Sequence, residues 1–241
     1  EKEIYYYYLR LWDGFIKKIN YGEFKFEEPL NLIKITKIIS NSSNVYHKFT
    51  IVDGWQECQL NNYTKNVFGE IIKLEYQEIL ADTYNYTSTD SIQKLVDLMK
   101  KNKNIFFLQN TNNKLMKKYT INEIMTIASL LEKEGIDDFD KKVISSVIFN
   151  RLDKNMKLQI DASTIFSITR GKYKFDRKLT LNDLKIKDQY NTYFYNNLPP
   201  KPICFVSRKT IEIVLENYRS EYLFYFYNNL LDKHIYSKTF K

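Results

Sequence analysis

Thr120-Ile121-Asn122-Glu123-Ile124-Met125-Thr126-Ile127-Ala128-Ser129-Leu130-Leu131-Glu132-Lys133-Glu134-Gly135 is the stretch on which the reading of the fold turns. Thr120 followed three residues later by Glu123 is a capping box, in which the hydroxyl accepts from the N3 amide and the carboxylate reaches back to the cap. Ile121, Ile124, Met125, Ala128 and Leu131 then fall at i, i+3, i+4, i+7 and i+10, one apolar face of a helix turned toward a core. Gly135 is the expected left-handed residue after the last turn. Glu132-Lys133-Glu134 occupies that turn, where the free carbonyls disfavour a negative charge by about 0.3–1 kcal/mol. A carboxyl that keeps its proton toward neutral pH is what a general acid needs, whereas a solvated helix end needs nothing of the kind. Helical geometry turns Glu132 nearer the apolar stripe than Glu134, and spacing alone does not choose between them.

Ahead of this helix, apolar and aromatic residues from Tyr5 to Asn20 predict a helix ending near Gly22, and Glu23-Phe24-Lys25-Phe26 alternates like a short strand. Pro29 opens a helical spacing through Leu30, Ile33, Lys34, Lys37 and Ile38. A second strand fits Tyr46 to Val52, closed by the turn Asp53-Gly54, so the front reads as a small module with a short sheet. Leu80-Ala81-Asp82-Thr83-Tyr84 reads as a connector, a helix runs from about Thr89 to Lys101, and the Asn-rich text from Asn102 to Lys118 reads as a loop. The fold class is α+β, divided into residues 1–75 and 76–241.

The chain of 241 residues carries 37 Lys+Arg against 29 Asp+Glu, a formal net charge of +8, with 16% aromatic residues. Such a surface suits a polyanion, an anionic lipid or a sugar, and charge does not separate these. The six glycines, Gly14, Gly22, Gly54, Gly69, Gly135 and Gly171, form no dinucleotide fingerprint, phosphate loop or nucleophile elbow. His47 and His234 are far apart and lack metal-ligand spacing, and so read as structural or surface residues. Cys58 and Cys204 lie in different halves without metal spacing, so no cofactor is expected and carboxylates are left as the agents of any catalysis. No window approaches the roughly 18 apolar residues of a membrane span.

The second half resembles the endolytic murein transglycosylases, the MltG or YceG-like family. The matching blocks are Ala128 to Glu134, Val143 to Leu152, Met156 to Asp161 with Ser163-Thr164, Tyr190 to Tyr193, Leu198-Pro199-Pro200 with Pro202-Ile203, Tyr222 to Phe226, and His234 to Thr239. They occur in family order. The front half is similar through Gly22 to Phe26, Val52-Asp53-Gly54 and Asp82-Thr83-Tyr84, where relatives hold a small LysM-like module. The family usually has Gly at Asn197 and Lys201, Pro at Ala162, and an Asn-Pro-Gly turn at Cys204-Phe205-Val206, so this chain departs from it in the loop from Asn197 to Val206.

The resemblance implies that Glu134 is the catalytic acid/base in cleavage of the β-1,4 bond from N-acetylmuramic acid to N-acetylglucosamine within peptidoglycan strands, leaving a 1,6-anhydro end. Gln159, Asp161, Tyr190, Asn191 and Tyr193 would line the groove. Asp161 has a second reading as a helix cap, and the tyrosines as core. The implied partners are peptidoglycan glycan strands and the cell-wall synthesis machinery. The implied location is the bacterial inner membrane, single-pass, with the catalytic domain on the extracytoplasmic side and an N-terminal anchor ahead of Glu1. A catalytically inactive peptidoglycan-binding protein is the alternative. A nucleic-acid-binding protein is a further one, without any helix-turn-helix or zinc signature to support it.

Overall fold

The computed structural model describes residues 2–27 and 29–240 and divides them into two compact units. One holds the chain up to Thr50 together with Thr83–Leu98; the other holds Ile51–Asp82 and the chain from Met99 onward. The boundary expected after residue 75 falls inside the second unit. Backbone bonds tie 51–82 there: Gly54 N–H donates to the Phe205 carbonyl at 2.9 Å, Phe205 to Trp55 at 2.9 Å, and Ala81 to Val206 at 2.7 Å. The sheets are small and antiparallel and helices carry most of the structure, as an α+β class requires.

In the first unit α1 (Lys2–Leu11) runs into a single π turn, Trp12–Ile16, and stops, short of the expected Asn20. Gly14 weakens the helix there, and the Asp13 carboxylate takes the Ile19 amide at 2.6 Å, turning the chain out of it. The alternation at Glu23–Phe26 forms no strand. The Asn44 side chain satisfies Lys25 from both sides, accepting from its N–H at 2.7 Å and donating to its carbonyl at 2.9 Å, so no ladder is needed. Asn31 caps α2 (Leu32–Ile39). Strand β1 (His47–Thr50) pairs with β2 (Thr83–Tyr86) in the register His47 to Tyr86 and Thr50 to Thr83, so part of the supposed connector is a strand.

Helix α3 (Glu57–Phe68), in the second unit, precedes β2 in the chain; α4 (Ile92–Gln109) starts in the first unit, enters the second at Met99 and continues through the segment expected to be a loop, followed by α5 (Lys114–Lys118). Phe106 and Phe107 are 4% and 3% exposed, and their burial outweighs the weak helix preference of the neighbouring asparagines. Helix α6 (Ile121–Glu134) is the centre of the core. Its capping box forms as expected, but every residue from Ile124 to Leu131 is buried, including those off the predicted stripe. The reason is that α7 (Asp138–Asp153), α8 (Asp161–Thr169) and α9 (Arg208–Leu215) all pack on α6, covering it from several sides. The hairpin β3 (Phe224–Asn228) and β4 (Lys233–Ser237) then leans on α7.

Gly135 is not left-handed: its φ is −78° and ψ 136°, an extended residue open to any side chain. Close approach is what demands glycine, since a Cβ would stand 2.3 Å from Lys141 Cγ and 3.3 Å from Lys141 Cα. Lys141 cannot swing aside freely, because its Nζ is bound to Glu132 at 2.5 Å. Gly135→Ala should therefore cost about 1–3 kcal/mol by overpacking, read as a lower urea midpoint at unchanged m-value.

Candidate active site

Two neighbouring acids of α6 part ways at its C-terminus. Glu132, with a side chain 2% exposed, accepts from Lys141 Nζ at 2.5 Å, from the Ser207 amide at 3.0 Å and from the Ser207 hydroxyl at 2.8 Å. These three bonds join α6, α7 and the cap of α9. Glu134 lies two residues on, about 200° around the helix, and faces a different neighbourhood.

There the Tyr225 hydroxyl donates to Glu134 Oε2 at 3.3 Å, and the Ala162 N–H in the first turn of α8 points at the same carboxyl. Burial, and after it the charge of Asp161, raise the Glu134 pKa; the Ala162 and Tyr225 bonds and the nearby His234 pull the other way without cancelling the rise. The protonated form is thereby favoured while hydrogen-bond donors stand ready for the anion. Burial and then the Glu134 charge keep Tyr225 a phenol, with its pKa well above the ordinary value.

Tyr225 also lines a cleft of about 560 Å³, together with Arg151, Gln159, Tyr193, Phe224, Phe226, Ser237, Thr239 and Phe240. Arg151, on α7, donates to the carbonyls of Leu223 at 2.6 Å and Leu158 at 2.6 Å, fixing the start of β3 and the loop before α8. Gln159 sits on that loop with φ 52°, a left-handed conformation held by its amide bond to the Thr192 carbonyl at 3.1 Å.

Of the residues singled out from sequence, Glu134, Gln159, Asp161 and Tyr193 gather here. Asp161 is the first residue of α8 and accepts from the Tyr193 hydroxyl at 2.7 Å; the helix has no side-chain cap, so the capping role is not its task. Asn191 is fully buried. It donates to the Leu184 carbonyl at 3.1 Å and the Ile186 carbonyl at 2.9 Å, and accepts from Thr164 at 2.9 Å and the Tyr193 amide at 3.1 Å. It offers a ligand no surface and instead holds Tyr193 in place. Tyr190 lines a separate hollow with Tyr76, Arg170 and Lys201. Sequence reasoning did not single out Tyr225, Arg151 or Asp140, and it read His234 as a structural or surface residue. An arginine inside the otherwise apolar end of α7 was the available signal for the second. No group of three or more His, Cys, Asp or Glu fit to hold a metal occurs among the described residues, and Cys58 and Cys204 are both free thiols. No helix among the described residues is long and apolar enough to cross a membrane.

Removing the Asp161 charge should lower the Glu134 pKa. A general acid works only while protonated, so the alkaline limb of the pH-rate profile of Asp161→Asn should move to lower pH. Loss of the charged bond to Tyr193 should cost a further 1.5–3 kcal/mol or so in turnover with the melting temperature little changed. A pH series of initial rates beside a thermal melt measures both.

A mixed helical domain with a lone half-buried glutamate beside an aromatic cleft defines a class, and over residues 1–241 the chain matches the YceG-like family, to which it belongs. It is 29% identical over 227 residues to an endolytic murein transglycosylase of Bacillus subtilis, covering 88% of this chain and 62% of that protein. It is 33% identical over 146 residues to one of Streptococcus pneumoniae, covering 58% of this chain and 26% of that protein. The chain thus spans less than two thirds of the length of these relatives. The crystal structure of a yceG-like protein from Listeria monocytogenes superposes with a TM-score of 0.65 at 23% identity, covering 99% of this chain and 88% of that one, a likeness of fold.

Proposed function

We propose that the chain is the catalytic portion of an endolytic peptidoglycan lytic transglycosylase. It would cleave the bond from N-acetylmuramic acid to N-acetylglucosamine inside glycan strands, on the extracytoplasmic side of the membrane, with the cell-wall synthesis machinery as its setting. The observation that carries the reading is the Glu134 carboxyl, its pKa raised by burial and by Asp161, beside an aromatic cleft, within a chain similar to proteins of that activity.

Glu134 would protonate the glycosidic oxygen as the C1–O bond breaks, leaving a carboxylate that Tyr225 and the Ala162 amide are placed to solvate. The muramoyl C6 hydroxyl would then attack C1 and return its proton to Glu134, so no water enters. An intramolecular hydroxyl has an effective molarity of about 10⁵ M or more, which removes the need for a second carboxylate as nucleophile. The Tyr193 and Tyr225 faces and the phenylalanines of the cleft suit sugar CH surfaces, and Gln159 suits the acetamido groups.

Asp161 beside Glu134 favours one other reading, a two-carboxylate hydrolase in which the aspartate activates water. The products separate them. Digestion of purified wall sacculi followed by mass spectrometry should give muropeptides with 1,6-anhydro ends, one water lighter than the reducing ends a hydrolase leaves. Reducing ends would favour the hydrolase, and no release at all would favour a binding protein.

A further inference from the structure

Behind the site lies a buried carboxylate to which no step above gives work. Asp140, on the first turn of α7, is 6% exposed. Its Oδ2 accepts from the Ile136 amide at 2.9 Å and from His234 Nδ1 at 2.8 Å, and its Oδ1 accepts from the Tyr236 hydroxyl. Its own amide is taken by the Asp137 cap at 2.8 Å. The three bonds it accepts come from two places that matter for Glu134. Ile136 lies two residues after Glu134, so Asp140 fixes the chain as it leaves the acid. His234 and Tyr236 are alternate residues of β4, on one face of the hairpin. Across the ladder Tyr236 is paired with Tyr225 and His234 with Tyr227, and the Tyr225 ring meets His234 edge-on with centroids 5.4 Å apart.

We propose that Asp140 is a positioning residue: by seating β4 through His234 and Tyr236 and holding Ile136, it keeps the Tyr225 hydroxyl on the Glu134 carboxyl. The other end of the hairpin is fixed separately, by Arg151 on the Leu223 carbonyl and by Asn150 on the Ser220 and Tyr222 carbonyls at 2.8 Å each. Two clamps define a hairpin's tilt where one leaves a hinge, and Tyr225 lies between them. A buried carboxylate accepting from three donors on two segments is well suited to such a seat, since losing it leaves all three unpaired. The groups facing Glu134 are Asp161 and the Ala162 amide from α8 and Tyr225 and His234 from the hairpin, so a displaced hairpin changes two of the four.

The inference rests on Glu134 being the acid, yet one of its tests needs no turnover. In protein labelled with ¹³C at glutamate side chains, the Glu134 carboxyl signal is titrated in the wild type, Asp140→Asn, Tyr225→Phe and the double variant. Loss of the Tyr225 bond, which favours the anion, should raise the Glu134 midpoint in Tyr225→Phe. Asp140→Asn should raise it in the same direction, and the double variant should add little to either single. Turnover on glycan strands should follow the same pattern: about tenfold lower kcat in each single variant at similar KM, and the double within about twofold of the singles. Two effects that multiply would overturn the proposal, as would a Glu134 titration unchanged in Asp140→Asn.

Should Asp140→Asn fail to fold, His234 decides. Asparagine carries its amide nitrogen near the place of Nδ1, so His234→Asn should restore most of what His234→Leu loses; equal loss in both would overturn the seat. If the wild type releases no anhydro product, the catalytic reading fails while the titration still decides this one.

Discussion

Glu134→Gln is expected to lower release of anhydro-muropeptides by roughly 10²–10⁴-fold, the usual cost of removing a general acid, because the amide keeps the shape but has no proton to deliver. It should also be more stable than the wild type at neutral pH, and the sign follows from linkage. Burial and Asp161 raise the Glu134 pKa in the folded protein above its unfolded value, so folding favours the protonated form. That preference costs nothing below the unfolded carboxyl pKa, grows as pH rises toward the folded one, and is fully paid above it. Glutamine never ionises and escapes the cost. The melting-temperature gain of Glu134→Gln should therefore be largest at neutral pH and vanish near pH 4. A fully active variant would overturn the acid/base role, and a gain independent of pH would mean that Glu134 is not held in its protonated form.

How much of this was legible beforehand depends on how local the deciding interaction is. The capping box at Thr120 and Glu123 is three residues wide, and it forms as the sequence says. The strand at Glu23–Phe26 fails because Asn44, 19 positions on, satisfies Lys25 instead. Gly135 reads as a helix stop from either side of the argument, yet its true constraint is the Lys141 stem of the next helix. The loop at Asn197, a position the resemblance expected to be glycine, has φ 72°, a conformation that asparagine tolerates among non-glycine residues. Tyr225 was invisible for another reason: one tyrosine among 20 becomes the partner of Glu134, 91 residues away, only when its hairpin is laid against α7. Asn191 is the converse case, a motif residue whose polar atoms are all spent inside the fold.

Glu132 gives the sharpest contrast with its neighbour. From the sequence it was a second candidate acid. In the fold its carboxylate is the shared acceptor of Lys141, the Ser207 amide and the Ser207 hydroxyl, with 2% and 13% of the Glu132 and Lys141 side chains exposed. Replacing it with glutamine removes the charged partner of a buried pair and leaves the lysine ammonium without that counter-charge, with the amide oxygen and the Thr210 hydroxyl at 2.9 Å as neutral acceptors. Breaking such a pair typically costs about 3–5 kcal/mol, and the retained amide oxygen should keep Glu132→Gln at the lower end. The cost should appear in the unfolding free energy from denaturant titration. The activity of the folded fraction should stay within a few fold of wild type, because nothing in the cleft is touched. Glu132→Gln and Glu134→Gln would then have opposite signatures, one losing stability and keeping chemistry, the other losing chemistry and gaining stability. Loss of both properties in Glu132→Gln at permissive temperature would show that the α6 to α9 junction also sets the position of Glu134.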